Sequence, residues 1–73
     1  MSLREILGRN VRRLRVERRL SQEELAHLAK MNRNYVGMIE RKESAATVDI
    51  IERLAAALDV SPVDLISPDT NRR

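Results

Sequence analysis

Residues 21–42 read SQEELAHLAKMNRNYVGMIERK. Ser21 with Glu24 three positions on forms a capping box. The serine hydroxyl accepts from a free backbone N–H, and the glutamate reaches back to the N–H of the cap. Leu25, Ala26, Leu28 and Ala29 then predict a helix of two to three turns. A break falls at Lys30-Met31. Asn32 reads as the N-cap of a second helix that presents Val36 and Ile39 to a core, since an uncapped start would cost ~1 kcal/mol. Two short helices joined by about three residues cross steeply and leave the second one protruding. An α-helix fits the major groove of B-DNA, where each base pair shows a distinct donor and acceptor pattern. A protruding second helix is therefore a natural reader, with its first turn in the groove and its capping region near the phosphates.

The flanks read the same way. Ser2 with Glu5 is another capping box, opening a first helix from about Leu3 to Arg19 whose Leu3, Ile6, Leu7, Val11 and Leu14 recur at three- and four-residue steps. Thr47 can cap a fourth helix with Val48, Ile51, Leu54, Ala55 and Leu58 on its inner face. Ser61-Pro62 with Asp64 opens a short fifth helix to about Ile66: serine caps, proline takes the first position where no N–H is needed, and aspartate meets the positive helix end. Strand-like alternation is not convincing anywhere. The expectation is an all-α, compact five-helix bundle filling residues 1–66, with a tail at 67–73 that frays.

Composition narrows the function. The chain has 73 residues, 42% hydrophobic and 34% charged, which suits one small globular domain. It has no cysteine and one histidine, so disulfides, thiolate metal sites and the usual zinc-finger ligand sets are excluded. No apolar stretch approaches the ~20 residues of a membrane span, and the polar, charged start lacks the core of a signal peptide. A cytoplasmic location is the expectation. Enzymatic chemistry has no foothold. His27 stands among polar and apolar helix residues without a nucleophile, the acidic residues serve caps and charged faces rather than acid–base pairs, and no Gly-rich phosphate loop exists. Neither a cofactor nor a small-molecule substrate is expected. Charge is uneven: residues 1–42 hold eleven Lys or Arg against five Glu, a net +6, whereas residues 43–73 hold three Arg against six acids, a net −3. One end would attract a polyanion, unless the arginines merely solvate an exposed face.

The run Leu20-Ser21-Gln22-Glu23-Glu24-Leu25-Ala26, then Val36 and Ile39-Glu40-Arg41, resembles the Cro- and phage-repressor-like (XRE-type) helix-turn-helix domains. The likeness extends upstream through Gly8, Val11, Leu14 and Arg15, and downstream through Leu54-Ala55, Leu58 and Val60-Ser61-Pro62-Val63-Asp64-Leu65, so it spans nearly the whole chain. Asn32-Arg33-Asn34-Tyr35 ahead of Ile-Glu-Arg looks most like the controller proteins of restriction–modification systems. The resemblance implies the lambda-repressor-like five-helix fold and a sequence-specific transcriptional regulator.

Carried over residue by residue, it places Gln22 where the family's glutamine meets the DNA backbone, its amide also able to buttress the third helix. Arg33 and Asn34 match positions that project from the start of the recognition helix. Arginine can fork onto guanine O6 and N7, and asparagine onto adenine N6 and N7, though a pure phosphate contact is open for Arg33. Asn32 caps whatever else it does. Tyr35 can reach a phosphate or sit at a core edge. Gly37, unfavourable by ~1 kcal/mol inside a helix, can admit either a DNA strand or the second helix. Met38 can meet a thymine methyl or support packing. Arg41 and Lys42 suit phosphates, or the negative end of their own helix. Arg15 and Glu40 match an ion pair between the first and third helices and are assigned a structural role.

The sequence departs from the family at Lys30 and Lys42, where glycine is usual and φ > 0 common, which implies mild strain. Ala46 replaces a frequent proline. A single domain reads few base pairs, so a homodimer on a pseudo-palindromic operator, with half-sites about one turn (~34 Å) apart, is expected. Ile50, Val60, Val63 and Ile66 are the apolar residues left over for pairing, unless the fifth helix simply lids the core. The rival reading is a protein-interaction module such as an antitoxin.

Overall fold

The computed structural model describes residues 2–44 and 46–68. Five helices follow one another: α1 Leu3–Glu17, α2 Gln22–Ala29, α3 Arg33–Glu40, α4 Val48–Leu58 and α5 Pro62–Ile66. Each begins at a residue whose side chain can satisfy a helix N-terminus. The capping boxes at Ser2/Glu5, Ser21/Glu24 and Ser61/Asp64 are reciprocal, and Asn32 and Thr47 accept from Asn34 and Ile50 backbone N–H groups. At Ser2 the backbone N–H donates to the Glu5 carboxylate at 2.9 Å, which holds that carboxyl below its ordinary range.

The helices end on a shared device. Arg19, Lys30, Lys42 and Asp59 all take left-handed backbone, with φ of 58°, 59°, 65° and 59°. The next N–H turns back to the carbonyl five residues earlier: Leu20 to Arg15, Met31 to Ala26, Glu43 to Met38 and Val60 to Ala55, at 2.9–3.0 Å. This is the Schellman ending, built four times without glycine. Leu20, Met31 and Val60, just beyond three of these endings, pack against the core. The first helix therefore stops at Glu17 rather than running to Arg19.

Leu7, Val11 and Leu14 of α1 meet Leu25, Ala26 and Ala29 of α2, Val36 and Ile39 of α3, Leu54, Ala55 and Leu58 of α4 and Leu65 of α5 in one core. The expected inner face of α4 is corrected at one position. Val48, in its first turn, is 73% exposed, because the side of α4 that meets the core begins with Ile50 and Ile51 further along the helix. Leu28 likewise stands outside, on the surface of α2. Helix α3 packs on α2 and α1, while α5 packs on α1 and α4.

Two features of α1 fix its neighbours. Gly8 lies under the end of α3, and a Cβ there would come within 2.5 Å of the Ile39 carbonyl oxygen. Asn10, buried, donates from Nδ2 to the carbonyls of Asp64, Leu65 and Ser67 at 3.2, 2.9 and 3.0 Å. Those are carbonyls that a five-residue helix leaves without helical partners, so α5 is tied to α1 by hydrogen bonds as well as by Leu65. Residues 69–73, most of the expected tail, lie outside the described residues.

Candidate nucleic-acid interface

Helix α3 has two unlike sides. Val36, Gly37, Ile39 and Glu40 are buried, whereas Asn32, Arg33, Asn34, Met38 and Arg41 are exposed. Counted from Arg33, the exposed helical residues lie one, five and eight positions on, within one side of the helix, so one open stripe runs from the cap to the last turn. Asn32 accepts the Asn34 backbone N–H at 2.7 Å, which leaves the side chains of Arg33 and Asn34 directed outward from a closed first turn. Tyr35 is half-buried and packs at the core edge. Met38 is on the open side.

Beneath the stripe lies a polar clamp. Arg15 Nε and Nη2 donate to Glu40 Oε2 and Oε1 at 2.6 and 3.0 Å, a bidentate pair, and Arg15 Nη1 donates to the Leu20 carbonyl at 2.8 Å. Gln22 Nε2 donates to Glu40 Oε1 at 3.1 Å. The Arg15 and Glu40 side chains are 13% and 2% exposed. Hydrogen bonding to the carboxylate raises the Arg15 pKa further, against the opposing effect of burial. A carboxylate this buried is tolerable only because its acceptors are filled, and among the described residues no buried side-chain N or O lacks a partner. The clamp joins α1, the start of α2 and the end of α3, so the tilt of α3 is set by three elements.

Gln22 thus uses one amide hydrogen on Glu40 and stays half-buried at the start of α2. Gly37 faces this corner: a Cβ on it would stand 3.0 Å from Arg41 Nη1 and 3.5 Å from Gln22 Oε1. Gly37 is thus bordered by the Arg41 side chain and by the Gln22 side chain at the start of α2. Arg41 Nε also pairs with Glu43 Oε2 at 3.1 Å, both side chains more than half exposed, where an ion pair stabilises little. Lys42 is exposed, its stem running past Gly8 toward α1.

The four apolar residues assigned to pairing divide. Ile50 and Val60 are half-buried against the core, whereas Val63 is 64% and Ile66 36% exposed on α5. Ile66 shares a shallow groove with Leu3, Leu7, Ala46 and Ile51. Sequence reasoning missed Asn10 and Glu43. Asn10 was visible as a polar residue on the apolar stripe of α1, between Leu7 and Val11. Glu43 had no such signal, because its partner is chosen by how the chain turns after Glu40.

No helix among the described residues is long and apolar enough to cross a membrane, and no group of three side chains there could hold a metal ion. A helix-turn-helix family model, HTH_3, matches residues 11–65. The control protein C.SmaI of Serratia marcescens is 42% identical over 67 residues, covering 92% of this chain and 80% of that protein. The crystal structure of the restriction–modification controller protein C.AhdI from Aeromonas hydrophila superposes with a TM-score of 0.82 at 40% identity, over 85% of this chain and 94% of that one. The hypothetical transcription factor NHTF from Neisseria gives a TM-score of 0.91 at 41% identity, over 97% and 82%. With the fold, the two-sided third helix and these likenesses together, the chain belongs to the Cro- and phage-repressor-like (XRE-type) helix-turn-helix family of DNA-binding transcriptional regulators.

Proposed function

We propose that two copies of this chain bind a pseudo-palindromic operator, each laying the first turn of α3 in a major groove. The observation that carries this is the open stripe Asn32–Arg33–Asn34 on a helix whose opposite side is buried and clamped by Arg15, Glu40 and Gln22. Arg33 and Asn34 read base edges; Gln22, Tyr35, Arg41 and Lys42 meet phosphates; Met38 faces the groove wall. Gly37 contributes through the space it leaves, and Asn32 by closing the first turn. The exposed Val63 and Ile66 on α5 support pairing there, with Ile50 and Val60 as its half-buried backing. Pairing through α5, which packs on α1 and α4 rather than on α2, leaves the helix-turn-helix to the DNA. Operator occupancy is the whole mechanism, with no catalysis and no cofactor, and it belongs in the cytoplasm with the genome. The control-protein names of two relatives support genes of a restriction–modification system as the target.

Selection of bound sequences from a random duplex pool tests the reading. A two-fold related consensus with half-sites about one helical turn apart supports it. Arg33→Ala is expected to abolish the preference for that consensus over random duplex, while Arg41→Ala weakens both alike. An Arg33→Ala protein that loses affinity evenly for every sequence refutes base reading by Arg33. Binding that does not weaken as salt rises refutes the phosphate contacts and favours an interaction module.

A further inference from the structure

Glycine inside an eight-residue helix is a poor choice for the helix itself, and α3 carries one at its centre. A Cβ at Gly37 would meet no backbone of another element. Its nearest neighbours are Arg41 Nη1 at 3.0 Å, Gln22 Oε1 at 3.5 Å and Arg41 Cζ at 3.8 Å. The bare backbone at Gly37 is therefore a seat for a guanidinium. The arginine comes from one turn further along the same helix, and it is steadied on its far side by Glu43 at 3.1 Å. Gln22, at the start of α2, borders the same seat.

We propose that Gly37 is a positioning residue for DNA binding. It lets the Arg41 side chain fold back along α3 toward Gln22, so that the guanidinium and the start of α2 present donors to one stretch of phosphate backbone. A Cβ here would crowd Arg41 Nη1, 3.0 Å away, and move the guanidinium out of this position beside Gln22. The inference rests on the DNA-binding reading above and adds to it that Gly37 acts through Arg41, not by admitting a DNA strand directly. Salt-bridge geometry at the surface is weak, so Glu43 steadies Arg41 without locking it and a phosphate can replace the carboxylate.

Gly37→Ala separates this role from a structural one because the two have opposite signs. Alanine is a better helix former than glycine, and the closest atom it would displace is the tip of a flexible side chain, so the thermal midpoint of Gly37→Ala should stay level or rise. Affinity for a selected operator duplex should nonetheless fall about 5- to 10-fold at ~0.1 M salt. The slope of log K against log salt should become shallower by about 0.9, the loss of one phosphate contact. In an Arg41→Ala background the same glycine substitution should change affinity less than about twofold. A full loss that persists without Arg41 would overturn the seat and place a DNA strand against Gly37 instead. A lowered thermal midpoint with an unchanged salt slope would make Gly37 merely a packing residue. Should the unaltered protein fail to bind any duplex, the DNA-binding reading falls and this inference with it; operator binding by the unaltered protein with either of the other outcomes removes the inference alone.

Discussion

At the scale of single residues, the two glycines show that one residue type can sit in a helix for different reasons. Gly8 faces rigid backbone: a Cβ would lie 2.5 Å from the Ile39 carbonyl oxygen, so α1 and the end of α3 would have to part. Gly37 faces only the ends of flexible side chains. Overpacking of the first kind costs typically 1–3 kcal/mol, offset by at most the ~1 kcal/mol that alanine adds to helix propensity. Gly8→Ala is therefore expected to lower stability by about 1–2 kcal/mol, a fall of several degrees in Tm for a domain of this size, by calorimetry or circular dichroism. A Tm that rose would mean that α1 does not lie this close to α3. The clamp at Glu40 is more demanding, since Arg15→Met leaves a carboxylate that is 2% exposed with only Gln22 for a partner. A loss of about 3 kcal/mol is expected, with C-terminal α3 amides exchanging faster with solvent than those of α4. The sequence named Arg15, Glu40 and the exposed first turn of α3 through family likeness, and the likeness came from residues that are themselves adjacent in the fold. It gave no sign that Gly37 would lie beside the side chains of Arg41 and Gln22, because that depends on how α2 and α3 cross.

At the scale of elements, helix starts were more fully legible than helix ends: the break at Lys30 and positive φ at Lys30 and Lys42 were expected and are observed, whereas the endings at Arg19 and Asp59 were not foreseen. A start is written in local chemistry: Ser21 with Glu24 satisfies N–H groups within four residues of itself, whatever the rest of the chain does. An end is usually written by glycine, and this chain closes four helices with Arg19, Lys30, Lys42 and Asp59 in left-handed backbone instead. Only the hydrophobic residues that follow three of them, Leu20, Met31 and Val60, leave a trace, and that pattern is easily read as more helix. This explains why α1 was expected to run two residues too far. Left-handed backbone costs a non-glycine residue about 1–2 kcal/mol, while glycine gives back roughly 0.5–1 through its freer unfolded state. Lys30→Gly and Asp59→Gly are each expected to stabilise by about 0.5–1 kcal/mol. The Tm gain would be about 2–8 °C, and for Asp59→Gly DNA affinity should be unchanged. A loss of stability in both would contradict the backbone assigned to these endings.

At the scale of the whole molecule, the surface carries a polar open stripe on α3 and exposed apolar residues on α5. Most of the inner face of α1 and α2 was legible from periodicity, with Leu3 and Leu28 exposed against it, but the leftover apolar residues were not separable by sequence into those that back the core and those that face solvent. Ile50 and Val60 turn inward, while Val63 and Ile66 remain open. A double substitution Val63→Glu, Ile66→Glu is accordingly expected to keep the monomer folded and to shift sedimentation at micromolar concentration to an 8.4 kDa species. Affinity for a full two-fold operator should fall at least tenfold, while affinity for an isolated half-site stays within about twofold. An unaltered protein that sediments only at 8.4 kDa would refute pairing altogether. Asn10 grips α5 and Arg15 grips α3, five residues and so about 7.5 Å apart on one helix axis. In a pair joined through α5, that short rod is the ruler between the seam and the groove. Any slackening of either grip would blur the half-site separation a pair can measure, long before it unfolded the protein.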